Sequence, residues 1–237
     1  MDVQRDLESL LGAARLRGYL IASAGDEARA RDLYLWATQV SGALHAQLSF
    51  VEIAVRNAVD PVLADWNAAQ PGYARDWTAQ HGAANPVYGL LKRSLPDARR
   101  FALQESQRRP KGHPRRDAPV THDDIVAQLM FGAWVKLIHD TGGGHRQRDL
   151  WRDALHEAFP FTGSSDEDRL RLGAQLESMR RLRNRVAHHD NLLGVNVRAR
   201  MNESLSLLAK INPDFPTLAA AQSPLRRLVR EDPRRLW

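Results

Sequence analysis

The chain has 237 residues, which is enough to bury a substantial apolar core without disulfides or structural metals. It contains no cysteine, which excludes disulfide frameworks and cysteine-ligated zinc or iron–sulfur sites and fits a reducing compartment. The formal net charge of +6 indicates a polyanionic partner, with nucleic acid ahead of an anionic membrane surface. No run approaches the roughly 18 apolar residues of a membrane span, and the N-terminus lacks a secretory signal, so we expect a cytoplasmic protein with no membrane contact.

Helical periodicity dominates the first quarter of the chain. Residues 2–17 carry apolar side chains at helical spacing, and Asp26 is suited to cap a second helix that runs to Leu48. A third helical pattern covers residues 50–59. Pro61 is expected to kink this helix, to end it or to lie in the first turn of the next one.

The next segment combines loops with one helix. Residues 67–86 contain two prolines and two glycines and are typical of a loop, whereas residues 87–107 favour a helix. Residues 108–120 hold three prolines and a glycine, which predict a loop insertion. Its five cationic side chains are Arg108, Arg109, Lys111, Arg115 and Arg116. Such a loop either follows RNA phosphates or is a solvated insertion, and we favour RNA contact.

The second half of the chain also reads as helices. Thr121 followed by Asp124 predicts a capped start for an apolar helix to Ile138, with Phe131 and Trp134 in the core. The glycine triplet at 142–144 is expected to end that unit as a turn.

Further helices are predicted over residues 146–158, from a cap at Ser164 or Ser165 to about 189, and over 195–210. A basic tail covers about 222–237. No stretch shows the sustained two-residue alternation of strands. The fold is therefore predicted to be all-α, a single helical domain over residues 1–237 built as a bundle with loop insertions.

The most informative segment is the end of the long helix, with the sequence LRNRVAHHDNL over residues 182–192. A buried face is predicted from Leu172, Leu176, Met179, Leu182 and Val186. Arg183 and His188 are five residues apart and point about 140° away from each other on a helix. A site using both therefore needs a cleft between two helices or between two subunits, and two copies about a two-fold axis provide such a cleft.

This segment resembles a known protein family. Arg183, Asn184, three further residues and His188 match the arginine–asparagine-led motif of the HEPN superfamily, and the fuller string looks like the signature of its Abi-like branch from bacterial abortive-infection systems. The string FVEIAVRNAV at residues 50–59 is similar to an early helix of the same family. The two motifs cover about 25 residues, and helix order extends the resemblance over about residues 30–210.

The resemblance implies an HEPN-like helical bundle, frequent homodimers, and RNA cleavage that uses neither metal nor cofactor. It makes His188 the proton-transfer residue and Arg183 the phosphate-binding residue, with Asn184 positioning them and His189 as a secondary candidate. This chemistry is sensible because RNA carries its own 2′-hydroxyl nucleophile, histidine exchanges protons near neutral pH and arginine stays cationic. The products would be a 2′,3′-cyclic phosphate and a 5′-hydroxyl.

The other candidates for RNA contact on the two motifs are Glu52, Arg56, Asn57, Arg180 and Arg185. Structural roles stay open beside the functional ones. Arg183 is able to pair with a carboxylate such as Glu52, and Glu52 and Arg56 have the four-residue spacing of an ordinary helical ion pair. Adjacent histidines also suit a helix C-terminus, and because they do not normally converge on one metal, no metal site is predicted.

The favoured function is a metal-independent endoribonuclease of phage defence or a toxin, with an antitoxin or regulatory partner as a further expectation. Some HEPN toxins carry a tyrosine two residues after the motif histidine, which a partner enzyme modifies. Asp190 occupies that position, so control by this route is not expected. The main alternative is a non-catalytic HEPN module that binds RNA or dimerises. A DNA-binding regulator ranks last because no helix-turn-helix is recognisable.

Overall fold

The computed structural model of the protein describes residues 3–140 and 144–237. In this part of the chain all regular structure is helical, which confirms the predicted all-α class. The α-helices are α1 (Val3–Leu11), α2 (Ala13–Ala22), α3 (Glu27–Ala68), α4 (Val87–Leu91), α5 (Ser94–Arg108), α6 (His122–Gln128), α7 (Phe131–Ile138), α8 (His145–Asp153), α9 (Asp166–Ala187), α10 (Val197–Ile211), α11 (Phe215–Ala220) and α12 (Leu225–Arg230). Two 3-10 helices cover Leu155–Ala158 and Pro233–Leu236.

Helix α3 is longer than the sequence predicted. It begins after Asp26, whose carboxylate accepts the backbone N–H of Arg29 at 3.0 Å and so confirms the predicted cap. The predicted break near residue 49 is wrong, because one helix continues through Pro61 to Ala68. Val55, Val59 and Leu63 are fully buried, so packing on both sides of Pro61 outweighs the cost of its missing N–H.

Four other predicted helices are each divided in two. The pattern over residues 2–17 covers α1 and part of α2, and the helix over residues 146–158 covers α8 and the 3-10 helix Leu155–Ala158. The helix expected over residues 87–107 separates into α4 and α5 around Lys92 and Arg93. The helix from the Thr121 cap to Ile138 separates into α6 and α7, because Leu129 and Met130 take extended backbone conformations. Residue 2 of the first predicted helix, and residues 142 and 143 of the glycine triplet, lie outside the described residues.

The chain divides into two compact units. The first unit comprises Met1–Val51, Arg181–Ser206 and Asp214–Trp237, and the second comprises Glu52–Arg180 and Leu207–Pro213. Among the helices that the structure describes, none combines the length and apolar character required to cross a membrane.

In the first unit, the C-terminal segment packs against α3. Trp36 is 7% exposed and donates its indole N–H to the carbonyl of Leu228 at 2.8 Å. The Arg234 guanidinium lies over the Trp36 ring, 5.4 Å from its centroid, and donates to the carbonyl of Leu193 at 2.9 Å. Most of the predicted basic tail is helical, and Arg234 attaches it through an aromatic and a carbonyl partner.

The second unit has an aromatic core. Trp77 and Trp134 are fully buried with their rings edge to face at 6.0 Å, and Phe131 is 2% exposed. The predicted core roles of Phe131 and Trp134 are thereby confirmed. Trp151 stacks on Phe159 at 6.1 Å in the same unit. Edge-to-face and stacked arrangements of this kind add to the free energy of burial.

Candidate functional site

The end of α9 carries the side chains of the arginine–asparagine–histidine motif, which differ in their exposure. The predicted buried face is confirmed, because Leu172, Leu176, Met179, Leu182 and Val186 are all at most 4% exposed. Arg183 and Asn184 are half-buried beside this face, and His188 is exposed at the helix end. The helical pattern continues to His188, whose N–H donates to the carbonyl of Asn184 at 2.9 Å.

The helix ends in a turn that closes two of its last carbonyls. The N–H of His189 donates to Val186 at 3.1 Å, and the N–H of Asp190 donates to Arg185 at 2.9 Å. This pair of bonds is the Schellman arrangement, in which the penultimate position adopts a left-handed backbone that usually requires glycine. Here His189 occupies it with φ of 54°. An imidazole is therefore held at a backbone position that disfavours any side chain.

The segment after this turn is fixed by two arginines. Arg185 donates to the carbonyl of Asn191 at 2.6 Å, and Arg234 donates to the carbonyl of Leu193 at 2.9 Å. Arg234 is itself held by Asp232 at 2.7 Å. The backbone before His189 and Asp190 is held by the helix-ending turn, and the backbone after them is held through the Asn191 and Leu193 carbonyls.

A groove of about 610 Å³ lies beside the turn in the first unit. Its lining comes from α2, the first half of α3, the end of α9 and the turn that follows α9, and consists of Arg15, Tyr19, Tyr34, Ala37, Thr38, Ser41, Gly42, His45, Val186, Ala187, His189, Asp190 and Leu192. Small and apolar side chains are combined with two imidazoles, a guanidinium and a carboxylate. A concave, mainly apolar surface with a few polar groups is the usual form of a ligand site.

Two tyrosines form an aromatic corner of the groove. Tyr19 is 4% exposed and meets the partly exposed Tyr34 edge to face, with ring centroids 5.5 Å apart. Burial, and next the neighbouring Tyr34, raise the pKa of Tyr19, so its hydroxyl stays protonated at neutral pH. The corner therefore offers rigid aromatic rings and the neutral hydroxyl of Tyr19.

The structure places His188 and His189 differently. His189 and Asp190 line the groove, whereas His188 is exposed and is not one of the lining residues. Sequence reasoning ranked His189 second and did not select Arg15, Tyr34 or His45. A usable signal existed in the helical spacing of Tyr34, Thr38, Ser41 and His45, which puts polar side chains on one face of α3.

From Glu52 onward the upstream motif belongs to the second unit, where Glu52 and Arg56 have the ion-pair spacing noted in the sequence. Oε1 of Glu52 lies 4.0 Å from Nη2 of Arg56, and both side chains are about one-fifth exposed. Nε of Arg56 is buried without a hydrogen-bond partner among the described residues. Asn57 is exposed on the same helix.

Both predicted RNA-binding arginines of α9 have intramolecular partners. Arg180 donates to both carboxylate oxygens of Glu177 at 2.7 and 2.8 Å, and this hydrogen bonding raises the pKa of Arg180. Arg185 is bound to the Asn191 carbonyl. Contact with RNA phosphates would compete with these bonds. The two arginines therefore have structural roles that do not depend on a ligand.

The basic loop is folded onto the cap of α6. Asp124 lies 2.5 Å from Arg115 and 3.4 Å from Arg109, and Arg116 donates to the carbonyl of Arg109 at 2.5 Å. The predicted capping box of Thr121 and Asp124 is confirmed. Burial raises the pKa of Asp124, but hydrogen bonds from Thr121 and the Arg115 guanidinium outweigh it and lower the pKa to about 2. Two further cations of this loop are exposed, Arg108 and Lys111.

A second histidine cluster lies in the second unit and was not predicted. Nε2 of His122 is 2.9 Å from Oδ1 of Asp60, and Nδ1 is 3.0 Å from Oδ1 of Asp76. The bond to Asp60 and, against burial, the bond to Asp76 raise the pKa of His122 to about 9. This imidazole is therefore cationic at neutral pH and serves as an ion-pair bridge rather than as a base.

Comparison with known proteins gives no match to any family model, to any curated protein sequence or to any solved structure. Within residues 3–140 and 144–237, no group of three or more histidine, cysteine, aspartate and glutamate side chains is arranged to hold a metal ion.

Proposed function

We propose that this protein is a metal-independent endoribonuclease centred on the end of α9. The observation that carries the proposal is the position of the Arg183–Asn184…His188 motif, whose histidine is exposed at the helix terminus next to a groove with a mixed polar lining. A net charge of +6 favours a polyanionic substrate. The resemblance of this motif to HEPN proteins supports the same activity.

The proposed reaction is an attack by RNA on itself. His188 accepts the proton of a 2′-hydroxyl, the oxygen bonds to the adjacent phosphorus, and the bond from phosphorus to the 5′-oxygen breaks. The departing oxygen takes a proton from a second donor, for which His189 is one residue away. Arg183 binds the non-bridging oxygens as negative charge develops on them. A 2′,3′-cyclic phosphate and a 5′-hydroxyl result, and no redox partner or cofactor is needed.

Two copies of the chain complete this site in the proposal. Arg183 and His188 are five residues apart and project about 140° from each other, so one helix does not direct both at one phosphate. A homodimer that places two α9 ends together supplies arginine and histidine from different copies. Cytoplasmic phage defence or a toxin role, with an antitoxin or regulatory partner, follows from the resemblance and forms part of the same proposal.

A non-catalytic RNA-binding or dimerisation module is the second candidate. The observation that favours it is that His188 lies outside the groove lining while Arg180 and Arg185 are engaged in intramolecular bonds. Such a module would bind RNA through exposed cations such as Arg108 and Lys111. Its affinity would fall with salt, and neutralising both cations would make that dependence shallower.

The deciding experiment incubates labelled RNA with the wild-type protein in excess EDTA, beside His188→Ala and a matched control, His145→Ala. His145 is an exposed histidine at the start of α8, outside both motifs and the basic loop. We expect the wild type and the control to release cyclic phosphate ends and His188→Ala to lose cleavage at least about a hundredfold, as for loss of a proton-transfer group. Equal cleavage by all three proteins would contradict the assignment of His188. RNA binding without cleavage would favour the module.

A further inference from the structure

We propose that the groove beside the α9 terminus is a subsite for one unpaired base of single-stranded RNA, adjacent to the scissile phosphate. This inference rests on the proposed nuclease function for its position in the reaction. Its own content is separate, because it assigns a binding role to Arg15, Tyr34 and His45, which belong to neither sequence motif. The supporting observations are the shape, the aromatic corner and the arrangement of charges.

The shape fits a nucleotide. A volume of about 610 Å³ falls in the range of small-molecule sites, and the groove is open to solvent along Arg15, Gly42 and His45, which are all exposed. Ala37, Val186 and Leu192 are buried and contribute an apolar surface. A flat base is a suitable occupant because its faces are apolar while its edge carries hydrogen-bonding groups.

Stacking groups lie on one face of α3. Tyr34 and His45 are eleven residues apart, close to three helical turns, so both point into the same groove together with Thr38 and Ser41. The edge-to-face contact with Tyr19 fixes the Tyr34 ring. Aromatic and imidazole planes of this kind hold unstacked bases in single-stranded nucleic acids. The hydroxyl of Ser41 is suited to bond to a base edge of either polarity, whereas that of Thr38 donates to the Tyr34 carbonyl at 3.0 Å and offers its lone pairs.

The charges separate the phosphate side of the groove from the base side. Arg15 is exposed on the wall of the groove, so its guanidinium is available for a phosphate. Asp190 repels phosphate and instead accepts N–H groups from a base edge. His189 directly follows the motif histidine in the sequence, lines the groove and has a left-handed backbone conformation. In the sequence, the proposed reacting residue His188 is therefore followed directly by residues of the base subsite.

This arrangement selects single strands. In an A-form duplex the bases are stacked and paired, so none is presented to a groove lined by side chains from three helices. An unpaired nucleotide is able to turn its base into the groove while its phosphate remains at the surface. The proposal therefore predicts a preference for single-stranded over duplex RNA that depends on the groove.

Gly42 provides a direct test. A Cβ built on this glycine meets no atom within 4 Å, so a substituted side chain starts in open space, and a large one is expected to occupy the groove. The matched control is Gln39→Trp, which adds the same side chain to an exposed position of α3 that does not line the groove. His45→Ala is the second groove variant, chosen because it removes an exposed side chain and leaves the helix intact.

The measurement is fluorescence anisotropy with a labelled RNA octamer carrying 2′-O-methyl groups, which binds but has no free 2′-hydroxyl for cleavage. We expect Gly42→Trp and His45→Ala to weaken single-strand binding about five- to a hundredfold, the range for loss of one stacked base. Gln39→Trp should bind within about twofold of the wild type, as expected for a substitution outside the contact. Duplex binding should be weaker for the wild type and insensitive to Gly42→Trp. Circular dichroism verifies that each variant is folded.

The outcomes separate this inference from the proposed function. Unchanged single-strand binding by both groove variants overturns the base subsite, even if native RNA is cleaved. Failure of the wild type to bind the octamer overturns it as well. If binding depends on the groove but native RNA is never cleaved in EDTA, the subsite stands and the nuclease proposal fails. Equal losses in Gly42→Trp and Gln39→Trp would show that the effect is not specific to the groove, and would also overturn it.

Discussion

The backbone N–H of His189 donates to the carbonyl of Val186 at 3.1 Å, and this bond holds His189 at φ of 54°. Most helices that end in this manner have glycine at the left-handed position, because a Cβ there crowds the following carbonyl oxygen. The chain instead keeps an imidazole at this point, on the wall of the groove. Strain of this kind persists only where the surrounding bonds over-determine the conformation.

We therefore expect His189→Gly to raise the free energy of unfolding by about 1 kcal/mol through relief of the left-handed strain. The matched control is His188→Gly. His188 has a helical bond to Asn184, so glycine there should lower the free energy of unfolding by about 0.5–1 kcal/mol. Urea unfolding of both variants measures the two shifts. Shifts of the same sign would contradict the strain at His189.

The second prediction concerns His122, whose imidazole bridges Asp60 and Asp76 and also meets the hydroxyl of Thr78 at 3.1 Å and the ring of Trp77. Its pKa is about 9 in the folded protein against 6.5 for the ordinary side chain. A group with a raised folded pKa contributes its full stabilisation below pH 6.5 and loses it as pH rises through about 9. We expect a loss of about 2 kcal/mol over this window, allowing for solvent screening of a side chain that is 23% exposed.

The check compares urea unfolding of the wild type and His122→Gln at pH 6, 8 and 10. Glutamine keeps hydrogen-bonding capacity but does not titrate, so the difference between the two proteins isolates the imidazolium from other groups that titrate at alkaline pH. The stability advantage of the wild type should shrink between pH 6 and pH 10. An advantage that stays constant across the three values would show that His122 is not a charged bridge.

The third prediction contrasts two arginines of α9 in the second unit. Arg169 is 3% exposed and pairs with Asp140 and Asp166, both at 2.6 Å, while donating to the Ile138 carbonyl at 2.8 Å. Arg171 is 59% exposed and pairs with Glu167 and Asp168. Removing a partner from a buried ion pair leaves charge without its counter-ion, whereas an exposed pair is screened by water.

Arg169→Met should accordingly destabilise the protein by about 3 kcal/mol, whereas Arg171→Met should have a much smaller effect because water screens its ion pairs. Both substitutions keep a long unbranched side chain and a good helix former, so helix propensity is matched. Thermal unfolding ranks the two variants directly. Equal losses would mean that burial of Arg169 has no energetic consequence.

Sequence periodicity was sufficient for the helical class, the Asp26 and Thr121 caps and the buried face of α9, because these depend on spacing within one element. Sequence periodicity did not predict that α3 continues as one helix. Pro61 locally favours a break in the helix. Burial of Val59 and Leu63 by side chains distant in the sequence favours its continuation.

The candidate site was likewise only partly predictable from the sequence. The motif residues of α9 were identified from a linear pattern, but the groove depends on how α2 and α3 meet the end of α9 within the first unit. Helical spacing puts Tyr34 and His45 on one face without saying what that face contacts. From composition alone, Arg109 and Arg115 were likewise expected to be available for RNA binding. Their shared partner Asp124 became evident only once the loop was seen folded on the cap of α6.

The last prediction concerns this loop. Asp124 accepts hydrogen bonds from the backbone and hydroxyl of Thr121 at 2.9 and 2.8 Å and also holds Arg109 and Arg115. In Asp124→Asn the charge is lost from all of these contacts, so local opening of the loop becomes easier by about 1.5 kcal/mol or more. Trypsin reports this opening because Lys111, Arg115 and Arg116 lie in the loop. We expect cleavage there to accelerate about tenfold in Asp124→Asn.

Asp123→Asn is the matched control, since Asp123 is exposed in the same first turn of α6 and loses the same helix-dipole interaction. Its cleavage rate should stay within about twofold of the wild type, because a surface substitution without partners changes stability little. Equal acceleration in both variants would indicate that the helix dipole, and not the ion pairs with the loop, holds residues 109–116. Neutralising Arg109 or Arg115 to test RNA binding would then be free of folding effects. If only Asp124→Asn is cleaved faster, Arg108 and Lys111 are the cations whose substitution reports on phosphate contact alone.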